Sequence, residues 1–140
     1  MGSCDVRNLT RQPLSGLPFV RVAHALLPRW NISLVFVGVR RAARLNRTLR
    51  GKVYIPNVLS YALGTKHGEI IICPAVAKKQ ARTYGLPQRT FLLFLFIHGL
   101  LHLKGYRHGT TMERYERKIL ARFASTSARL NHDTTNRNRH

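Results

Sequence analysis

The stretch FLLFLFIHGLLHLKGYRH, Phe91 to His108, sets three imidazoles at the end of one of the most apolar runs in the chain. Imidazoles are not needed to fill a core, so their spacing constrains the fold around them. His98 and His102 lie four apart on a predicted helix, Gln88 to Lys104, and both rings leave one face about a turn from each other. Gly105 can take a left-handed conformation, end that helix and turn the chain back toward the same face, carrying His108 with it. An i, i+4 histidine pair alone arises often by chance. A third histidine just past a helix-ending glycine completes H-x-x-x-H-x-x-G-x-x-H, the spacing of a three-ligand metal site. Three neutral imidazoles with one coordination position left open is the usual arrangement of catalytic zinc, whereas a structural site brings a fourth protein ligand. One zinc ion held by His98, His102 and His108 is therefore expected.

The spacing is that of zinc peptidases, but those carry Glu directly after the first histidine as general base, and here that position is Gly99. The chain has only five acids, Asp5, Glu69, Glu113, Glu116 and Asp133, so ordinary peptidase chemistry is disfavoured. Against those five stand 24 Lys and Arg, a formal charge of +19 in 140 residues. Such self-repulsion points to a polyanionic partner. The basic residues are spread along the chain and do not line one amphipathic helix, which favours nucleic acid over a membrane surface. The apolar run from Phe91 to Leu103 is too short to span a bilayer. Cys4 and Cys73 have no metal-clip neighbours and read as thiols of a reduced, cytoplasmic compartment. An acid-poor start bearing Arg7 and Arg11 leaves an organelle matrix as the alternative.

A single domain is expected over residues 1–130, with a basic, disordered tail over 131–140. PFVRVAHALLP reads as a helix through Phe19, Val22, Ala23, Leu26 and Leu27 that Pro28 stops. Asn31 to Val39 is β-branched enough for a buried strand, and RRAARLNRTLR is a basic helix ending at Gly51. VLSYAL and GEIIIC follow as strands, joined by GTKHG with its two glycines. A short helix opens at Pro74 and closes at Gly85. The last helix runs from about Thr111 to Leu130, with Thr110 and Glu113 as a capping box and Glu113 paired to Arg117. This order gives an α+β fold, a small mixed sheet packed with helices, the metal site at the end of the central helix.

Three blocks together resemble the YbeY family of rRNA maturation factors and metal-dependent endoribonucleases. HGLLHLKGYRHG looks like the family signature, LNRTLRGKVYIPNVLSYAL resembles its LN…RGK…VLSF segment, and GEIIIC lies where its Gly-Asp-Ile-type strand falls. The likeness covers roughly residues 31–120. It implies a zincin-like fold, zinc on the three histidines, and an arginine at Arg50 facing the metal as the catalytic cation. By the same resemblance the work is cleavage of single-stranded RNA in rRNA processing, at the 3′ end of small-subunit rRNA, with ribosome quality control. The small ribosomal subunit or its proteins would then be partners. The chain departs from the pattern at Val53, Ile55 and Arg107, where the family has Asp after RGK, Pro-Thr, and GYDH.

RNA contact is expected from Arg40, Arg44 and Arg47, which share a helix side, and from Lys52. Tyr54 and Tyr61 could stack unpaired bases. Glu69 reads as a strand-end carboxylate paired with a neighbouring Lys or Arg, and Ser60 leans to a structural hydrogen bond. The second expectation, from another class, is a weakly catalytic or non-catalytic rRNA-binding assembly factor whose zinc stabilises the fold.

Overall fold

A computed structural model of the chain describes residues 2–14 and 16–124 in full and the helical backbone of 125–138. The tail expected over 131–140 lies outside the fully described residues. The elements run β1 (Ser3–Asn8), α1 (Phe19–Leu26), β2 (Asn31–Phe36), α2 (Val39–Arg50), β3 (Val58–Gly64), β4 (His67–Ile72), α3 (Pro74–Thr83), α4 (Gln88–Lys104) and α5 (Thr110–Asn138). The four strands form one mixed sheet in the order β1-β2-β4-β3, parallel except for β3 against β4.

Side chains of each strand alternate between two faces. Ile32, Leu34 and Phe36 of β2 and Ile70 and Ile72 of β4 join the main core with α1 and α4. Leu59, Ile71 and Cys73 face the other way, onto Ala42 and Leu45 of α2. Helix α4 is apolar on nearly every side, and Phe91, Leu92, Leu93, Phe96, Ile97, Leu100 and Leu101 are all buried. Each such side chain taken out of water contributes about 1.5–3 kcal/mol before the entropy of ordering is charged against it. Past its first turn, only one stripe of α4 emerges from the packing before its final turn: Phe94, His98 and His102, spaced four apart. The apolar sequence thus buries the helix on all sides but the one that carries the imidazoles.

Four expectations need correction. The strand β1 was not anticipated; SCDVRN lacks a β-branched run, and it is held as an edge strand by backbone pairing to β2 from Ser3↔Asn31 to Asn8↔Phe36. The β3–β4 turn places positive φ at Lys66, φ 56°, and at neither flanking glycine. The capping box is not formed, because Thr110 already lies inside α5 and the Glu113 N–H donates to the Gly109 carbonyl at 3.0 Å. Among the described residues Glu113 and Arg117 form no ion pair; the one ion pair there joins His98 to Glu116.

Candidate metal centre

Helix α4 presents His98 and His102 on its open stripe, and Gly105 caps it at φ 109°, a conformation that costs a residue with a Cβ far more than glycine. The chain then turns back and His108 arrives beside the pair. Ring centroids lie 4.5 Å apart for His98–His102, 5.0 Å for His98–His108 and 4.6 Å for His102–His108. One ligand nitrogen from each ring falls within 4.8 Å of the others. The spacing in the sequence becomes a convergence in space.

The far side of each α4 imidazole is tied down. His98 Nδ1 lies 3.1 Å from Oε1 of Glu116, and His102 Nδ1 lies 3.2 Å from the Tyr106 carbonyl. Both neighbours are acceptors, so both Nδ1 atoms carry the proton and both Nε2 atoms carry bare lone pairs. Those two Nε2 atoms are 3.0 Å apart. Two lone pairs at that distance repel unless a cation or a proton stands between them. Burial, followed by the charge of His108, pushes the His98 imidazole below its ordinary 6.5. Burial and His98 do the same to His102. A bridging proton is thus disfavoured at neutral pH, and the donor set fits a divalent cation. Zinc–nitrogen bonds of about 2.0–2.1 Å in tetrahedral geometry set nitrogens a little over 3 Å apart, close to what is found.

Glu116 went unread in the sequence as a site residue. It is 4% exposed and lies on the buried stripe of α5 with Met112, Ile119 and Phe123. A carboxylate in helical register with the apolar Met112, Ile119 and Phe123 was the available signal, since buried acids are nearly always paired. Burial pushes its carboxyl up, the neighbouring imidazoles of His102 and His108 pull it down, and Glu113 pushes it up again.

A cavity of about 630 Å³ opens over the three histidines and is also lined by Arg50, Tyr54, Ser60 and Tyr61. Arg50 therefore reaches the site, with Nη1 donating to the Tyr54 hydroxyl at 3.0 Å. Asn46, fully buried on α2, donates from Nδ2 to the Tyr54 carbonyl at 2.9 Å and fixes the same loop. Lys52, Arg40, Arg44 and Arg47 do not line the cavity; they are exposed, the three arginines on α2, whose final residues form its wall. Ser60 Oγ donates to the Gly99 carbonyl at 2.8 Å, the structural role expected of it. Among the described residues Glu69 pairs with no Lys or Arg. It sits opposite Tyr61 in the β3–β4 register, and burial, followed by the charge of Glu69, pushes the Tyr61 phenol up to about 12.

A Cβ on Gly99 would stand 3.2 Å from Cδ1 and Cγ2 of Ile70. The position that bears the peptidase glutamate is thus pressed onto the sheet, and the approach of α4 to β4 depends on its bareness. No carboxylate of the described residues lines the cavity over the histidines.

The comparisons with known proteins agree with this geometry. The solution structure of TM1509 from Thermotoga maritima is similar, with a TM-score of 0.59 over 84% of this chain and 86% of that one at 21% identity, a likeness of fold. Proteins named Endoribonuclease YbeY match from Bdellovibrio bacteriovorus, 37% identical over 65% of this chain and 62% of that protein, and Thiobacillus denitrificans, 37% identical over 73% and 76%. Another, from Aromatoleum aromaticum, is 32% identical over 81% of this chain and 79% of its own length. The family described as Endoribonuclease YbeY matches residues 7–124, which takes in strands β2, β3 and β4, Arg50 at the end of α2 and all three histidines, and the chain belongs to that family, with its zincin-like α+β fold.

Proposed function

We propose that this protein is a zinc-dependent endoribonuclease that cleaves single-stranded rRNA, acting at the 3′ end of small-subunit rRNA and in ribosome quality control. One observation carries the reading: the bare Nε2 lone pairs of His98 and His102 converge with His108 on the floor of a cavity whose wall holds Arg50. The relatives that bear the name Endoribonuclease YbeY support the RNA substrate. A formal charge of +19 supports a polyanion.

Zinc at the three histidines would supply a Lewis acid for a phosphoryl oxygen and lower the pKa of water. The chain's own residues do the rest. His98 and His102 are held in one tautomer by Glu116 and Tyr106, so their donor atoms need no reorganisation. The planar guanidinium fork of Arg50 matches two phosphate oxygens while negative charge grows on them. The Tyr54 hydroxyl holds that guanidinium from one side and leaves other N–H groups free to donate. Arg40, Arg44, Arg47 and Lys52 would take the strand's other phosphates, giving strongly salt-dependent binding. The expected partners are the small ribosomal subunit or its proteins, in the cytoplasm, a compartment that suits the two free thiols of Cys4 and Cys73.

A second reading, an rRNA-binding assembly factor with weak or no cleavage, is favoured by one observation. Among the described residues no carboxylate lines the cavity over the histidines, and the nearby Glu116 is engaged by His98. Metal analysis of untagged protein and cleavage of single-stranded RNA separate the two. The enzyme is supported by one bound zinc and by cleavage that falls at least about a hundredfold in Arg50→Ala and in His102→Ala. Zinc bound with no cleavage above a mock preparation gives the assembly factor.

A further inference from the structure

A second cavity, of about 620 Å³, adjoins the metal centre and shares His98, His108, Asn57 and Val58 with it. Its floor is aromatic. Tyr84 stacks on Phe91 at 5.2 Å and 29°, Phe91 on Phe94 at 5.8 Å and 23°, and Phe94 lies 6.2 Å from the His98 ring at 36°. The rings thus step from a rim residue that is 63% exposed, Tyr84, down to a metal ligand. Its other wall is charged in an unusual way for so basic a chain, since two of the five acids, Glu113 and Glu116, line it with Arg117. Glu116 is held by His98, whereas Glu113 and Arg117, one turn apart on α5, have no ion-pair partner among the described residues. The cavity therefore offers a flat apolar surface, one free carboxylate and one free guanidinium.

We infer that this cavity is a nucleobase subsite beside the cleaved phosphate and that it prefers guanine. The inference rests on the RNA reading above. An unpaired base next to a phosphate at the histidines would continue the aromatic series and stack on it, as bases do on exposed aromatic rings. Edge chemistry then selects among the bases. Guanine alone presents two adjacent donors, N1–H and N2–H, to a carboxylate and two acceptors, O6 and N7, to a guanidinium. Adenine and cytosine set a ring acceptor beside their amino group, which a carboxylate repels. Uracil flanks its single N–H with two carbonyl oxygens. Glu113 accounts for the discrimination, and Tyr84 for affinity without discrimination.

The test is calorimetric binding of guanosine 5′-monophosphate and uridine 5′-monophosphate to the zinc-loaded full chain. The guanine nucleotide is expected to bind at least about tenfold more tightly, and Glu113→Gln, an isosteric change at an exposed position, to erase that difference. Tyr84→Leu is expected to weaken the guanine nucleotide about tenfold while the preference persists. Equal or undetectable binding of the two nucleotides, or a preference that survives Glu113→Gln, overturns the subsite. Cleavage of oligonucleotides differing in one base is scored separately. Selective nucleotide binding without any RNA cleavage removes the enzyme reading and leaves the subsite standing. Cleavage with no base preference and no selective binding does the reverse.

Discussion

Glu116 of α5 accepts a hydrogen bond from Nδ1 of His98 on α4 across 3.1 Å, and that contact joins the metal centre to the core. Removing the acceptor frees the imidazole to rotate and to protonate the wrong nitrogen. Glu116→Ala is expected to weaken zinc binding about 10- to 100-fold, with Glu116→Gln intermediate because its amide oxygen still accepts. Competition with a chromogenic chelator reads both values. Unchanged affinity in Glu116→Ala would show that the contact does not orient the ligand.

Zinc that binds the folded chain and not the unfolded one adds stability by mass action. At a free concentration about 100 times Kd this is about 2.7 kcal/mol, several degrees in Tm. Chelation is expected to lower the Tm of the native protein by that amount and to leave His102→Ala unmoved. An equal shift in both proteins would mean the chelator acts elsewhere.

The metal-free protein should lose stability as pH falls below 6.5. His98 and His102 have their folded-state values depressed by burial from the ordinary 6.5, so between 6.5 and those depressed values the unfolded chain binds more protons than the folded one. Stability then rises with pH across that window and is lost as pH drops through it. Glu116 works in the opposite sense, since its folded value is raised above 4.5, but it is one group against two. Thermal melts of chelated protein from pH 7.5 down to 5.5 check the sign, and a Tm that climbs on acidification would refute it.

Asn46 makes a further case, because it acts through Tyr54 and never touches the cavity. Its Nδ2 bonds the Tyr54 carbonyl at 2.9 Å, and Tyr54 in turn receives Arg50. Asn46→Ala leaves that carbonyl without its donor and should cost about 1–3 kcal/mol. RNA cleavage should fall with it while zinc content stays at one ion, a split that metal analysis and kinetics resolve together.

Gly99→Glu restores the residue that peptidases carry, yet its Cβ would sit 3.2 Å from two Ile70 atoms. Overpacking of this kind costs about 1–3 kcal/mol. The variant is expected to melt lower and to hydrolyse no peptide; appearance of peptidase activity would contradict the packing described for α4.

The histidine triad was readable because its spacing is local: four residues on a helix, then a glycine, then a short return. The bounds of α4, Gln88–Lys104, were legible for the same reason, as apolar density and Gly105 lie in one stretch. Glu116 was not, since its partner His98 is 18 residues away and only the packing of α5 on α4 brings them together. Strand β1 was missed because its pairing comes from β2 and from nothing in SCDVRN itself. Glu69 was assigned a basic neighbour by default, when cross-strand register with Tyr61 decides its company.

Strand β1 pairs with β2 through its whole length, Ser3 to Asn8, and Cys4 packs against the core beneath. Without those six residues, β2 would show open amide and carbonyl groups beside the apolar side chains of Ile32, Leu34 and Phe36. Such an edge recruits any other strand that meets it, so a version trimmed at its amino end would be recovered as aggregate.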